Sequence, residues 1–212
     1  MAFKAIDMSR YPRRAHFDYF RTLAYPYVGV TLEMDVTDAL RYSRRAGRSF
    51  YLTFLHAAAL AADGVDALRQ RIRGGRIVEY TECPTSHTEA AEDGTYCYCT
   101  LRHHMDLDAY FDQAVRARTA CRSRGIVEDD DAESMYFISA LPWLHYSALI
   151  QPVAGGDESN PRITWGQYRE NPSGRVLMPV SLLAHHALAD GRHIARFYQN
   201  LDDEIRRFAD IP

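Results

Sequence analysis

The sequence predicts an α/β fold, a mixed β-sheet covered by helices. Three observations predict it. Short runs with strand periodicity are interleaved with stretches whose apolar residues recur at helical spacing. The run Val176 to Ala184, broken only by Pro179 and Ser181, reads as a buried strand, and a long amphipathic helix follows it. No repeat, low-complexity tract or linker divides the 212 residues, so residues 1–212 are expected to form one domain with a substantial core.

In chain order, Tyr11 to Phe20 starts a short helix with Pro12 near its first turn, and Arg13, Phe17 and Phe20 lie on or near one face. Val28 to Val36 alternates as a strand. Thr37 is the expected N-cap of a helix over Asp38 to Ala46, closed by Gly47. Phe50 to Ile72 reads as one longer helix with Phe54, Leu55, Ala58, Ala61, Ala62, Val65 and Leu68 as its stripe. Gly74-Gly75 turns into a strand at Arg76 to Thr81, and residues 82–93 form an acidic, alanine-rich connection. Thr95 to Leu101 alternates again. Asp106 to Arg122 is helical, its apolar stripe interrupted by Arg118, and Glu128 to Asp131 with Glu133 is a solvated charge run. Ser134 to Trp143 and Tyr146 to Val153 precede a hairpin of roughly Arg162 to Arg169 and Arg175 to His185, joined through Asn171-Pro172-Ser173-Gly174. The last helix runs from Asp190 and buries Ile194, Phe197, Tyr198, Leu201, Ile205 and Phe208.

Composition narrows the class. Apolar content of 47% and charged content of 25% are ordinary for a soluble globular protein. A net charge of −3 leaves no nucleic-acid footprint, although Lys4 is the only lysine among many arginines. No apolar run reaches membrane-spanning length and Met1 to Met8 lacks a signal-peptide core, so a cytoplasmic protein is expected, with no membrane or nucleic-acid partner. Cys83, Cys97, Cys99 and Cys121 have no second Cys or His pair at finger spacing and are expected to stay structural thiols, with no metal.

The chemistry concentrates where the buried strand ends, in His185-His186-Ala187-Leu188-Ala189-Asp190-Gly191. A histidine at the end of a core strand presents a ring nitrogen to whatever lies beyond the sheet, which suits a general base near neutral pH. A core histidine held by its own backbone is the structural alternative. Asp190, four residues on, is an N-cap for the last helix by type, and its offset allows but does not require contact with the imidazole.

His186 to Gly191 fits His-x-x-x-Asp-Gly, and His185 extends it to His-His-x-x-x-Asp-Gly. With Arg13-Arg14-Ala15-His16-Phe17 and Ser139-Ala140-Leu141-Pro142-Trp143, this resembles the trimeric chloramphenicol acetyltransferase family of CoA-dependent acyltransferases over nearly the whole chain. The resemblance implies a two-layer sandwich and direct transfer of acetyl from acetyl-CoA to a small-molecule hydroxyl, chloramphenicol above all. It implies His186 as base, Ser139 as oxyanion donor, an Arg13–Asp190 pair, and Thr164 helping through a water. It implies a homotrimer in which the base of one subunit faces the acceptor pocket of its neighbour.

The same resemblance sets Phe20, Val28, Tyr96, Phe137, Leu149 and Gln151 along the acceptor pocket and Tyr168 near the adenine; Trp143 and Tyr51 are further candidates to flank the cofactor, core packing being the alternative for all three aromatics, and Arg48 is a candidate for its phosphates. Arg48 stands where the family has a lysine near the phosphates, a planar fork in place of a point charge. The pocket departs from the family pattern: Phe-Tyr becomes Tyr19-Phe20, Cys-x-Phe becomes Pro26-Tyr27-Val28, Glu-Thr-Phe-Ser becomes Gly94-Thr95-Tyr96-Cys97, and Phe-x-Leu becomes Leu149-Ile150-Gln151. Burying the Gln151 amide without a partner would cost about 1–3 kcal/mol.

These departures keep a different acceptor open, as well as a scaffold that binds a small aromatic molecule without turnover. A dihydrolipoamide acyltransferase core shares the His-x-x-x-Asp-Gly pattern, but this chain shows no lipoyl segment or long linker. A metal module built on His103-His104, His185-His186 and His193 is disfavoured, because adjacent histidines on a strand point to opposite faces.

Overall fold

The apolar run at residues 176–184 becomes the spine of the larger of two sheets. The computed structural model describes residues 1–90, 94–124 and 131–211, so Glu128 to Asp130 of the charge run lie outside the described residues. The first half of the chain forms β1 (Phe3–Ala5), α1 (Arg14–Phe20), β2 (Tyr27–Asp35), α2 (Thr37–Arg45), α3 (Phe50–Asp63), α4 (Asp66–Arg69), β3 (Gln70–Arg73) and β4 (Arg76–Tyr80). The second half forms β5 (Thr85–Ala90), β6 (Tyr96–Leu101), α5 (Leu107–Arg124), β7 (Tyr136–Leu141), β8 (Arg162–Gly166), β9 (Arg169–Glu170), β10 (Val176–His185) and α6 (Gly191–Arg207).

The large sheet runs β2-β10-β8-β7-β5-β6, with β9 also paired to β10. Its β7–β8 and β5–β7 pairs are parallel and the others antiparallel, the mixed sheet expected. Helices α2, α3 and α6 pack on one another and on β2 and β10, and α5 covers β5 and β6. Phe54, Leu55, Ile163, Val180, Leu182, Phe197 and Leu201 are fully buried between them. Each such side chain contributes roughly 1.5–3 kcal/mol of transfer free energy. Among the described residues no helix is long and apolar enough to cross a membrane.

A smaller sheet, β1-β4-β3, packs through Ile72 and Ile77 against Phe17 of α1 and against Ala187 and Leu188, the residues just past β10. This second cluster holds the strand-to-helix corner from outside the main core. The corner that carries the motif is therefore clamped on both sides.

Several elements differ from the sequence expectation, each for an identifiable reason. The predicted helix over 50–72 stops at Asp63. Gly64 caps it, and a Cβ there would meet the Asn200 amide nitrogen at 2.5 Å. Val65 is extended, α4 is one turn, and residues 70–73 pair as β3. Residues 82–93 are not merely a connection, because Thr85–Ala90 is a strand between β6 and β7. Its buried face is Thr85, His87 and Glu89, polar side chains that hydropathy reads as surface. Arg118, which interrupts the α5 stripe, reaches Glu89 at 2.9 Å. Thr37 is the first residue of α2 rather than its cap; the Asp35 carboxylate accepts from the Thr37 amide and hydroxyl instead. The four cysteines are buried free thiols, Cys121 lying over Cys97 and Cys99.

Candidate active site

The β10 register places the motif. His185 ends the strand opposite Tyr27, and the His186 amide donates to Pro26 O at 2.7 Å. A tight turn follows, with the Leu188 and Ala189 amides donating to His185 O. Within it the His186 ring points its Nδ1 at Ala189 O, 2.9 Å away, and stacks on Phe20 with ring centroids 3.8 Å apart. A carbonyl can only accept, so Nδ1 carries the proton and Nε2 is left as a bare acceptor. That is the tautomer a general base requires.

Among the described residues no hydrogen bond joins Asp190 to the His186 ring. Its carboxylate caps α6, accepting from the Arg192 amide at 3.0 Å and from His193 Nδ1 at 2.8 Å. Arg13 Nη1 donates to the other carboxylate oxygen and Arg13 Nη2 to His186 O. Burial raises the Asp190 carboxyl, but the His193 hydrogen bond and the charge of Arg13 outweigh it and hold the group at about 2. One guanidinium thus ties the helix cap to the backbone of the base.

The second half of the site is a row of hydroxyls across the large sheet. Thr31, Ser181, Thr164 and Ser139 stand opposite one another on β2, β10, β8 and β7. Thr31 and Ser181 hydroxyls are 2.7 Å apart, and Ser181 donates to Tyr146 OH at 3.2 Å. Gln151 Nε2 donates to Thr164 Oγ1 at 2.7 Å, so the amide has its partner and avoids the expected desolvation cost.

Ser139 opens into a cavity of about 310 Å³ lined by Ser86, Thr88, Tyr98, Phe137, Gln151 and Arg162. Arg162 lies over the Phe137 ring at 5.3 Å and is paired with Glu158 at 2.9 Å. A neighbouring hollow of about 280 Å³ is lined by Leu149, Gln151, Tyr25, Tyr27 and Ser181. Of the expected acceptor residues, Phe137, Leu149 and Gln151 therefore line these spaces and Phe20 stacks on the base. Val28 pairs with Ala184 in the sheet. Tyr96 stands 44% exposed at the edge of the sheet with its ring against Tyr98, and it is Tyr98 that lines the cavity. Ser86, Thr88, Tyr98 and Arg162 also line the cavity, and the sequence reading did not single them out. The alternation of residues 85–90, read as a strand, would have found the first two.

The expected cofactor residues fall into two groups. Trp143 is 79% exposed, and Tyr168 is 39% exposed with its ring edge-on to Phe50. The Gln167 amide donates to Leu144 O and so joins their two segments. Tyr51 instead packs its ring against Trp165 and His87, and burial drives its phenol well above the ordinary value. Arg48 is held by Asp108 at 2.7 Å and lies over Phe111.

Ser139 and His186, the donor and base expected from the sequence, are far apart within one chain. Ser139 and Ser181 are two strand spacings apart, and His186 lies five residues beyond Ser181 (186 − 181). At about 4.8 Å per strand and about 3.3 Å per residue, the separation is on the order of 19 Å. No serine and imidazole side chains span that.

Comparison with known proteins places the chain. The family profile described as chloramphenicol acetyltransferase matches residues 1–202. A chloramphenicol acetyltransferase of Klebsiella sp is 26% identical over 205 residues, covering 94% of this chain and 92% of that protein. A solved chloramphenicol acetyltransferase superposes with a TM-score of 0.85 at 25% identity, covering 96% of this chain and all of that one. The probable dihydrolipoamide acetyltransferase of Listeria monocytogenes shares the fold, with a TM-score of 0.71 at 14% identity over 97% of this chain and 94% of its own.

Proposed function

The chain belongs to the chloramphenicol acetyltransferase family, and on that premise we propose that it is an O-acetyltransferase that moves acetyl from acetyl-CoA to the hydroxyl of chloramphenicol. The observation that carries this reading is the His186 ring, whose Nδ1 is committed to Ala189 O while Nε2 is free to accept.

Nε2 takes the proton of the acceptor hydroxyl as its oxygen attacks the thioester carbonyl carbon. The new C–O bond pushes the carbonyl electrons onto oxygen, and Ser139 Oγ–H donates to that oxyanion, a stabilisation typically worth ~3 kcal/mol. Collapse breaks the C–S bond, and the departing thiolate recovers the proton from the His186 imidazolium. Thr164, held by Gln151, keeps its hydroxyl beside Ser139 and helps to order a water there. Arg13 and Asp190 do not meet the substrate; they fix the backbone that aims the base.

The assembly proposed is a homotrimer in the cytoplasm. The spacing between Ser139 and His186 supports it, because base and oxyanion donor then meet on one acceptor only across an interface. Exposed apolar residues just before the edge strand, on it and on the segment over it, Tyr25, Val30 and Ile150, supply surface for that contact. Trp143 and Tyr168, both accessible, would flank the adenine side of the cofactor. Arg48 would reach a phosphate only by leaving Asp108, and Tyr51 would contribute its ring from the channel wall.

Thiol release from acetyl-CoA tests the reaction, with chloramphenicol and a panel of small alcohols as acceptors. Turnover is expected with wild type and not with His186→Ala. Tight binding of the aromatic acceptor without thiol release from any alcohol would refute transfer. Mixing denatured His186→Ala and Ser139→Ala chains and refolding them tests the shared site. Random trimers should recover up to about a quarter of wild-type sites, and no recovery would refute sharing.

A further inference from the structure

Asp63, the last residue of α3, is a buried carboxylate at 7% exposure with no lysine or arginine paired to it among the described residues. Arg69 is close, but it donates to the Asp63 backbone carbonyl and spends its charge on Asp66 and Glu79. The carboxylate is met instead by two imidazoles and a phenol. His103 Nε2 and His104 Nε2 both lie on Oδ2, at 2.8 and 2.6 Å, and Tyr136 OH donates to Oδ1 at 2.6 Å. Alternation would have sent neighbouring histidines to opposite faces. It does not apply here, because His103 and His104 lie past the end of β6, where the chain is no longer a strand.

A buried carboxylate requires a compensating charge, which structures supply as an ion pair or as a metal. His103 is also buried, and its Nδ1 has no partner among the described residues, so the protein alone leaves this network one hydrogen bond short. His104 is 46% exposed at its side chain and opens the group to solvent. The three donor atoms, two imidazole nitrogens and one carboxylate oxygen, lie within 4.8 Å of one another.

We propose that Asp63, His103 and His104 form a binding site for one divalent transition ion of the zinc class. Two imidazoles and one carboxylate are the donors such ions select over magnesium or calcium. Metal–ligand bonds of about 2.0–2.2 Å set tetrahedral donors roughly 3.3 Å apart. The two short N···O contacts must open by about half an ångström, a movement the half-exposed His104 can make. Solvent completes the coordination on the His104 side, and Tyr136 orients the carboxylate from behind. The ion would clasp the end of α3 to the loop after β6 and, through Tyr136, to the first residue of β7, the strand that carries Ser139. None of the three ligands belongs to the acetyl-transfer site.

The test uses untagged full-length protein, stripped with EDTA and dialysed, then titrated with ZnCl2 by calorimetry and with CoCl2 by visible absorption. One equivalent should bind, with a cobalt spectrum of nitrogen and oxygen ligands. The thermal midpoint should rise by about 5–10 °C at a hundredfold excess over Kd. Asp63→Asn, which keeps the shape and an acceptor for both rings, and His104→Ala, at a half-exposed position, should each weaken binding at least about tenfold while far-UV dichroism stays native. Absence of saturable binding up to about 1 mM would overturn the site. Binding of equal affinity in both variants would overturn it too, placing the ion on other histidines.

Discussion

The two halves of the proposed site are built in opposite ways. The base half is mostly local: His186, its partner Ala189, the cap Asp190 and His193 lie within eight residues of one another in sequence, and Arg13, Phe20 and Pro26 come to it from one earlier stretch. The acceptor half is drawn from five strands and one loop, with Ser86 and Thr88 on β5, Tyr98 on β6, Ser139 on β7, Thr164 and Arg162 on β8, Ser181 on β10, and Gln151 outside them. The contrast assigns different tasks. A turn closed by its own hydrogen bonds fixes a tautomer, which any acceptor needs. A sheet face assembled from distant segments fixes a shape, and each segment can change without disturbing the base.

Substitutions in the two halves should therefore fail differently. The largest effect is expected from His186→Ala, a loss of about 10²–10⁴ in kcat with little change in acceptor KM, read by thiol release. Comparable losses in KM would mean the ring binds rather than catalyses. Ser139→Ala should lower kcat by about 10²–10³; an unchanged rate would leave the oxyanion to other donors and dissolve the pocket half as described.

Arg118→Ala tests the pocket through its support. Burial raises the Glu89 carboxyl, but the hydrogen bonds from His87 and Arg118 and the charge of Arg118 outweigh it and keep it below the ordinary value. Removing the arginine leaves a buried charge and should cost about 2–4 kcal/mol in urea unfolding. Acceptor KM should rise as β5 loosens, while the base half keeps its geometry.

Asp190 gives the acid limit of the base half. Its folded value of about 2 lies below that of a free aspartate, so the stabilisation is complete above the ordinary carboxylate range and is lost as pH falls towards 2. Asp190→Asn should cost about 1–2 kcal/mol at neutral pH after allowance for its partial exposure, with the two unfolding curves converging near pH 2. Curves that stay parallel in acid would mean Arg13 draws no charge partner there. The smallest effect is expected from Gln151→Leu, a several-fold change in acceptor KM at nearly constant kcat, since Thr164 loses one neutral hydrogen bond of about 1 kcal/mol.

What the sequence determined by itself is the base half and the layer architecture. The strand 176–185, the turn and the amphipathic α6 are written in consecutive residues, where hydropathy and capping chemistry act over a few ångströms of chain. The mixed sheet and most helices are legible for the same reason. Only the tertiary structure decided that 85–90 is a strand, because its buried face is polar and is made tolerable by Arg118 from another element. It also decided the break at Gly64, where the Asn200 amide sits against the helix end, and the row of hydroxyls from Thr31 to Ser139. The convergence of His103 and His104 on Asp63 belongs with these. Each depends on which distant residue supplies the opposing charge, donor or volume, and that information is carried by strand register and helix packing rather than by any stretch of neighbours.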